Sequence, residues 1–87
     1  MIDSIDFQNI EKEKYKEIGN LLLDYVLENN MYMEVEDKDF FVRDGDEAGV
    51  HVFYDGDKSK LRINISGEKT EKINDLENKL RDLINNK

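Results

Sequence analysis

Apolar residues recur at helical spacing from Ile10 to Asn29. Tyr15, Ile18, Leu22, Tyr25 and Val26 fall on one stripe, which predicts an amphipathic helix. Asn29-Asn30 supplies its stop, since Asn tolerates the left-handed conformation that closes helices. Leu23 and Leu27 project from another side and leave Asp24 and Glu28 as the clear polar face of the second half. At 100° per residue the apolar arc is roughly 240°, more than one sheet contact needs. A second helix is the expected cover for the surplus, with a dimer or partner surface as the alternative.

Beyond Asn30 the period changes to two. Met31, Met33 and Val35 alternate with Tyr32, Glu34 and Glu36, and apolar runs follow at Phe40–Arg43, Val50–Tyr54 and Leu61–Ile65. Asp44-Gly45-Asp46 and Asp55-Gly56-Asp57 punctuate these runs, and Asp-Gly between alternating segments is a hairpin signal. The pattern predicts an antiparallel meander of three strands, with Met31–Glu36 a fourth or the bent start of the first. Ser66-Gly67 opens a second helical stretch, in which Ile73, Leu76, Leu80 and Leu83 have a/d spacing. Glu68–Lys72, Asp75–Lys79 and Glu77–Arg81 are i,i+4 acid-to-base pairs along it. Residues 1–9, with Ile2, Ile5 and Phe7 among Asp and Ser, read as a short entry segment. The expected class is α+β: an N-terminal helix, a meander of three or four strands and a C-terminal helix, in two layers.

With 87 residues the chain has room for one domain, residues 1–87. The longest apolar run, Leu21-Leu22-Leu23, is too short for a membrane span or a signal-peptide core. Absence of Cys excludes disulfides, zinc fingers and thiol catalysis. The net charge of −8 argues against duplex DNA or an anionic membrane as a direct ligand.

That charge is unevenly placed. Residues 34–57 hold Glu34, Glu36, Asp37, Asp39, Asp44, Asp46, Glu47, Asp55 and Asp57 against Lys38 and Arg43, a net −7. Residues 1–33 sum to −4 and residues 58–87 to +3. A meander brings alternate turns to one edge, so part of this set becomes neighbours in space. Asp and Gly are good turn residues, which accounts for some of them as solvated turn acids. Solubility alone, however, is served equally well by scattered charges. The sharper reading makes these nine acids a partner-binding surface that imitates spaced phosphates, since duplex DNA carries one charge per ~1.7 Å of axis.

Other chemistry fails on spacing. An EF-hand loop begun at Asp44 has Ala48 at its fifth position and Asp55 at its twelfth; begun at Asp55, it has Lys60 at the sixth and Ser66 at the twelfth. His51 stands alone in a strand, Ser59 and Ser66 lack a base at a recognisable spacing, and no Gly-rich phosphate loop occurs. The expectation is a non-enzyme with no cofactor and no metal. If Val50, Val52, Tyr54, Leu61, Ile63 and Ile65 face the helices, then His51, Phe53, Lys60, Arg62 and Asn64 face away, with Phe41 and Arg43 beside them. Aromatics among bases on an open sheet stack single-stranded RNA in several modules. The entry segment is the expected cover for that face.

The helix–meander–helix order resembles the double-stranded-RNA-binding domain. In place of that family's basic start to the second helix stands Glu68-Lys69-Thr70-Glu71-Lys72, of alternating sign, so its activity is not carried over. In length, acidity, lack of Cys and element order the chain is more similar to small acidic phage-encoded inhibitors of the anti-CRISPR type. That resemblance implies an inhibitor that occupies the nucleic-acid surface of a CRISPR effector or similar nuclease in the cytoplasm of a bacterial host cell. The expected partner is thus a basic nucleic-acid-processing protein, with the chain acting as a monomer or homodimer. An immunity protein or antitoxin against a basic toxin, and a sheet-face RNA-binding module, are the alternatives.

Overall fold

A computed structural model describes residues 2–46 and 48–85. The alternation between residues 32 and 67 folds into four consecutive antiparallel strands: β2 (Tyr32–Glu36), β3 (Asp39–Asp44), β4 (Ala48–Asp55) and β5 (Lys60–Gly67). Met31–Glu36 thus supplies a separate strand and not a bent start. Asp37, at φ 55°, makes the tight reversal between β2 and β3. The helical stretches become α1 (Lys12–Asn29) and α2 (Glu71–Asn85). Asn30 closes α1 in the left-handed conformation, its N–H donating to the Val26 carbonyl.

The entry segment does not cover the sheet. It forms β1 (Ile2–Phe7), which pairs antiparallel with β5 and completes the order β1-β5-β4-β3-β2. Its alternation explains the outcome. Ile5 and Phe7 lie opposite Ile63 and Leu61 on the helix side, while Ser4 and Asp6 lie opposite Asn64 and Arg62 on the other. Ser4 donates to Asn64 Oδ1 at 2.7 Å, and Arg62 makes a two-point contact with Asp6 through Nε at 2.7 Å and Nη2 at 3.3 Å. A period-two segment buries one face by joining the sheet edge, whereas lying across the open face would strand its acids on apolar rings.

Both helices pack on one face, α1 over β2 and β3 and α2 over β4. Ile18, Leu22, Tyr25 and Val26 of α1 and Ile73, Leu76 and Leu80 of α2 are buried against Val42, Val50, Val52, Tyr54, Leu61, Ile63 and Ile65. Each fully buried aliphatic side chain of this kind contributes about 1.5–3 kcal/mol. Helix α1 approaches β3 closely at Gly19, where a Cβ would lie 2.9 Å from Phe40 Cζ and oblige the ring to shift.

Three further expectations need correction. Helix α2 begins four residues after Gly67, because Gly67 (φ 79°) ends β5 and Thr70 caps the helix: its Oγ1 accepts the Ile73 N–H at 3.2 Å. Of the three i,i+4 pairs only Glu77–Arg81 forms; Asp75 instead accepts from the Tyr25 hydroxyl, and Lys72 donates to the Asn29 carbonyl. The surplus apolar side of α1 stays uncovered, with Leu23 at 48% and Leu27 at 70% exposure. Helix α2 sits toward the β4 side of the sheet and does not reach them.

Candidate protein-binding surface

Strand pairing divides the nine acids between two ends. The β2–β3 and β4–β5 turns share one end of the sheet, and the β3–β4 turn lies at the other. Glu36, Asp37, Asp39, Asp55 and Asp57 therefore gather at the first end. Asp44 and Asp46 stand at the second, and Glu47 lies outside the described residues. Glu34 is exposed midway along β2.

The individual acids are held differently. Asp39 lies 3.2 Å from His51 Nε2, and His51 stacks on Phe41 with centroids 4.2 Å apart. Asp55 Oδ1 accepts the Asp57 N–H at 3.1 Å, an Asx turn that shapes the β4–β5 reversal. Asp44 accepts from the Thr70 hydroxyl and so belongs to the α2 cap. Asp37, Asp46 and Asp57 are exposed in their turns.

The fold adds two acids from outside the 34–57 segment. Buried Ile10 ties the start of α1 to the β4–β5 turn: its N–H donates to the Ser59 carbonyl and its carbonyl accepts the Tyr54 hydroxyl, both at 2.8 Å. Glu11 and Glu13 consequently line, with Asp37, Asp57 and Lys38, an open hollow of about 800 Å³ floored by Tyr15 and Tyr54. No short-range pattern announces this; the only sequence cue is an apolar Ile10 just before an acidic first turn. Seven carboxylates (Glu11, Glu13, Glu36, Asp37, Asp39, Asp55, Asp57) thus face four lysines (Lys12, Lys38, Lys58, Lys60) at one end. Burial, reinforced by the charges of Asp39 and Asp37, pushes the Tyr15 hydroxyl above the ordinary phenol value.

The sheet's second face is open. Phe53 is 45% exposed and meets His51 edge-on at 6.3 Å. Glu34, Phe41, Arg43, His51, Asn64 and Ser66 line a shallow depression of about 370 Å³ there. Its bases are largely matched: Arg62 pairs with Asp6, and Lys60 stands opposite Asp55 in the register. Among the described residues no three His, Asp or Glu side chains converge as a metal site, and no helix is long and apolar enough to cross a membrane. Comparison with protein-family models, curated proteins and solved structures finds no match to this chain.

Proposed function

We propose that the protein is a non-enzymatic acidic binder that docks on a Lys/Arg-rich groove of a nucleic-acid-processing protein and excludes its nucleic acid. The observation carrying this reading is the convergence of carboxylates from three separate stretches, the start of α1 and two turns, on one end of a small sheet. Such an arrangement offers a basic groove several charges at spacings a phosphate backbone also supplies. The core of the docking set is Glu36, Asp37, Asp39, Asp55 and Asp57 with Glu11 and Glu13, flanked by Glu34 on β2. Asp44 and Asp46 belong to the far end. A nuclease effector and a nuclease toxin present the same basic surface, so inhibitor and immunity protein share this mechanism.

The test pairs Asp55→Asn with Asp57→Asn. Asn keeps the acceptor that the turn uses, so charge is removed without unfolding the hairpin. A protein captured from lysate on the immobilised chain at about 50 mM salt should be released by about 300 mM salt and by added nucleic acid. The turn pair should weaken that capture at least tenfold. Glu71→Gln with Asp82→Asn, which removes the same charge from exposed positions on α2, should not. Equal loss in both pairs would make the effect one of general charge and sink the localised docking end.

One observation favours a second reading. The uncovered Phe41–His51 stack with Phe53 beside it is a platform on which bases of single-stranded RNA could stack. Binding of a short uridine oligomer at about 20 mM salt, abolished by Phe53→Ala, would replace the acidic-docking reading with this one. The Arg62–Asp6 ion pair, and the carboxylate of Asp55 opposite Lys60 in the register, disfavour such binding.

A further inference from the structure

The two edges of the sheet are treated differently. At β1 the edge carries Asp3 on the helix-facing side, opposite Ile65, where it meets Lys69 at 3.6 Å. A charge turned toward the packed side discourages a further strand from adding there. Strand β2 has no such device. It contains neither Lys nor Pro, and Tyr32 and Val35 are 59% and 57% exposed. Among the described residues no backbone or side-chain group from another element bonds to its outer edge.

The side chains flanking that edge are sorted by face. Glu34 and Glu36 lie on the open side of the sheet, in register with Phe41 and Asp39. Met33 and Val35 lie on the helix side, where with Gly19, Leu23 and Phe40 they line an apolar groove of about 510 Å³ between α1 and β2. An added strand would therefore meet carboxylates with one set of alternate side chains and an apolar groove with the other. A second copy of this chain fits poorly, since it brings two more glutamates and another net −8 to the same seam.

We infer that β2 is a docking edge for an extended segment of a partner protein that alternates basic and apolar residues, added as a sixth strand with its apolar side chains in the Leu23–Val35 groove. The inference rests on the acidic-docking reading and specifies how the partner is held. Main-chain hydrogen bonds supply the seat and the alternate side chains supply the selectivity.

The probe is a capped seven-residue peptide alternating Lys and Val. Its controls are the same residues in two blocks, an alternating Glu–Val peptide, and copies of the Lys–Val peptide N-methylated at every second residue in both phases. The alternating Lys–Val peptide should bind at least tenfold more tightly than the block peptide, slow amide exchange in β2, and lose binding in one methylation phase. Leu23→Asp, at an exposed position, should abolish binding; Glu34→Lys with Glu36→Lys should transfer the preference to the Glu–Val peptide. Equal binding of the block peptide, insensitivity to both methylation phases, or protection of β2 by concentration-dependent dimerisation would each overturn the inference. The Asp55→Asn, Asp57→Asn pair leaves β2 intact. If it weakens capture of a basic partner while Leu23→Asp does not, acidic docking stands and strand addition fails.

Discussion

Glu77 shows how a single residue can be misread from its spacing alone. As the first member of an i,i+4 pair it looks like a surface acid, yet it is 7% exposed, the one buried charged residue among those described. Oε2 accepts from Arg81 Nε at 2.9 Å, and Oε1 sits 2.8 Å from Lys69 Nζ, a close ion pair without directed hydrogen-bond geometry. Lys69, with Arg81, holds the carboxyl below its ordinary value against the opposing effect of burial. Glu77→Gln should therefore cost about 1–2 kcal/mol at neutral pH, as expected for losing a hydrogen-bonded charge whose partners still reach water. A lowered folded pKa makes this stabilisation complete above the unfolded value and lost as pH falls through the folded one. Chemical denaturation of wild type and variant should thus differ at pH 7, and the difference should shrink as pH falls below the unfolded carboxylate value of about 4.3. Tyr25 has the opposite sign. Burial first, then its bond to Asp75 at 2.9 Å, pushes its hydroxyl up to about 12. Its contribution is full below the unfolded phenol value of about 10 and disappears as pH rises toward the folded one. Tyr25→Phe should flatten the alkaline limb of the stability curve over that window, and a limb unchanged in the variant would show that another group controls it.

Elements were legible where periodicity was long and uninterrupted. The α1 stripe, the two Asp-Gly hairpins and the α2 stripe at Ile73, Leu76 and Leu80 all appear as read, because each depends on contacts within one turn or across one reversal. What escaped was the partner of each element. Residues 4–7 alternate with period two, but Asp3 breaks the pattern on the helix-facing side, and so short a stretch does not say which strand it joins, some 60 positions away. The start of α2 depends in part on a distant residue, since Thr70, whose Oγ1 caps the helix, also donates its hydroxyl to Asp44. Two substitutions separate cap from core. Thr70→Ala should cost about 1 kcal/mol, the usual worth of an N-cap. Leu80→Ala removes a side chain with 0% exposure and should cost about 2–4 kcal/mol. Urea melts would reverse this account if Thr70→Ala proved the more damaging, since α2 would then be held by its first turn and not by its stripe.

At the scale of the whole molecule, composition revealed an acidic segment but not a surface. The strand order decides that Asp37, Asp39, Asp55 and Asp57 meet while Asp44 and Asp46 do not, and Ile10 decides that Glu11 and Glu13 join them. Gathering seven carboxylates at one end carries an electrostatic cost that the fold must offset elsewhere, and the cost is measurable. Raising ionic strength from about 20 to about 300 mM shortens the Debye length from roughly 20 to roughly 6 Å, which screens neighbours across the turns more than contact pairs such as Glu77–Lys69. The melting temperature should therefore rise with salt. Asp37→Asn with Asp57→Asn should raise it at low salt by about 2–6 °C, corresponding to roughly 0.5–1 kcal/mol in a domain of this size, and should reduce its salt dependence. Asn also suits the left-handed φ of 55° at position 37, a gain that salt does not alter. The loss of salt dependence is consequently the readout that belongs to charge. A melting temperature that falls with salt would mean that ion pairs such as Arg62–Asp6 outweigh the repulsion, and the acidic end would then be no more than a solvated surface. A rise that the double variant removes would identify charges kept together against stability, as a surface shaped to meet a basic partner requires.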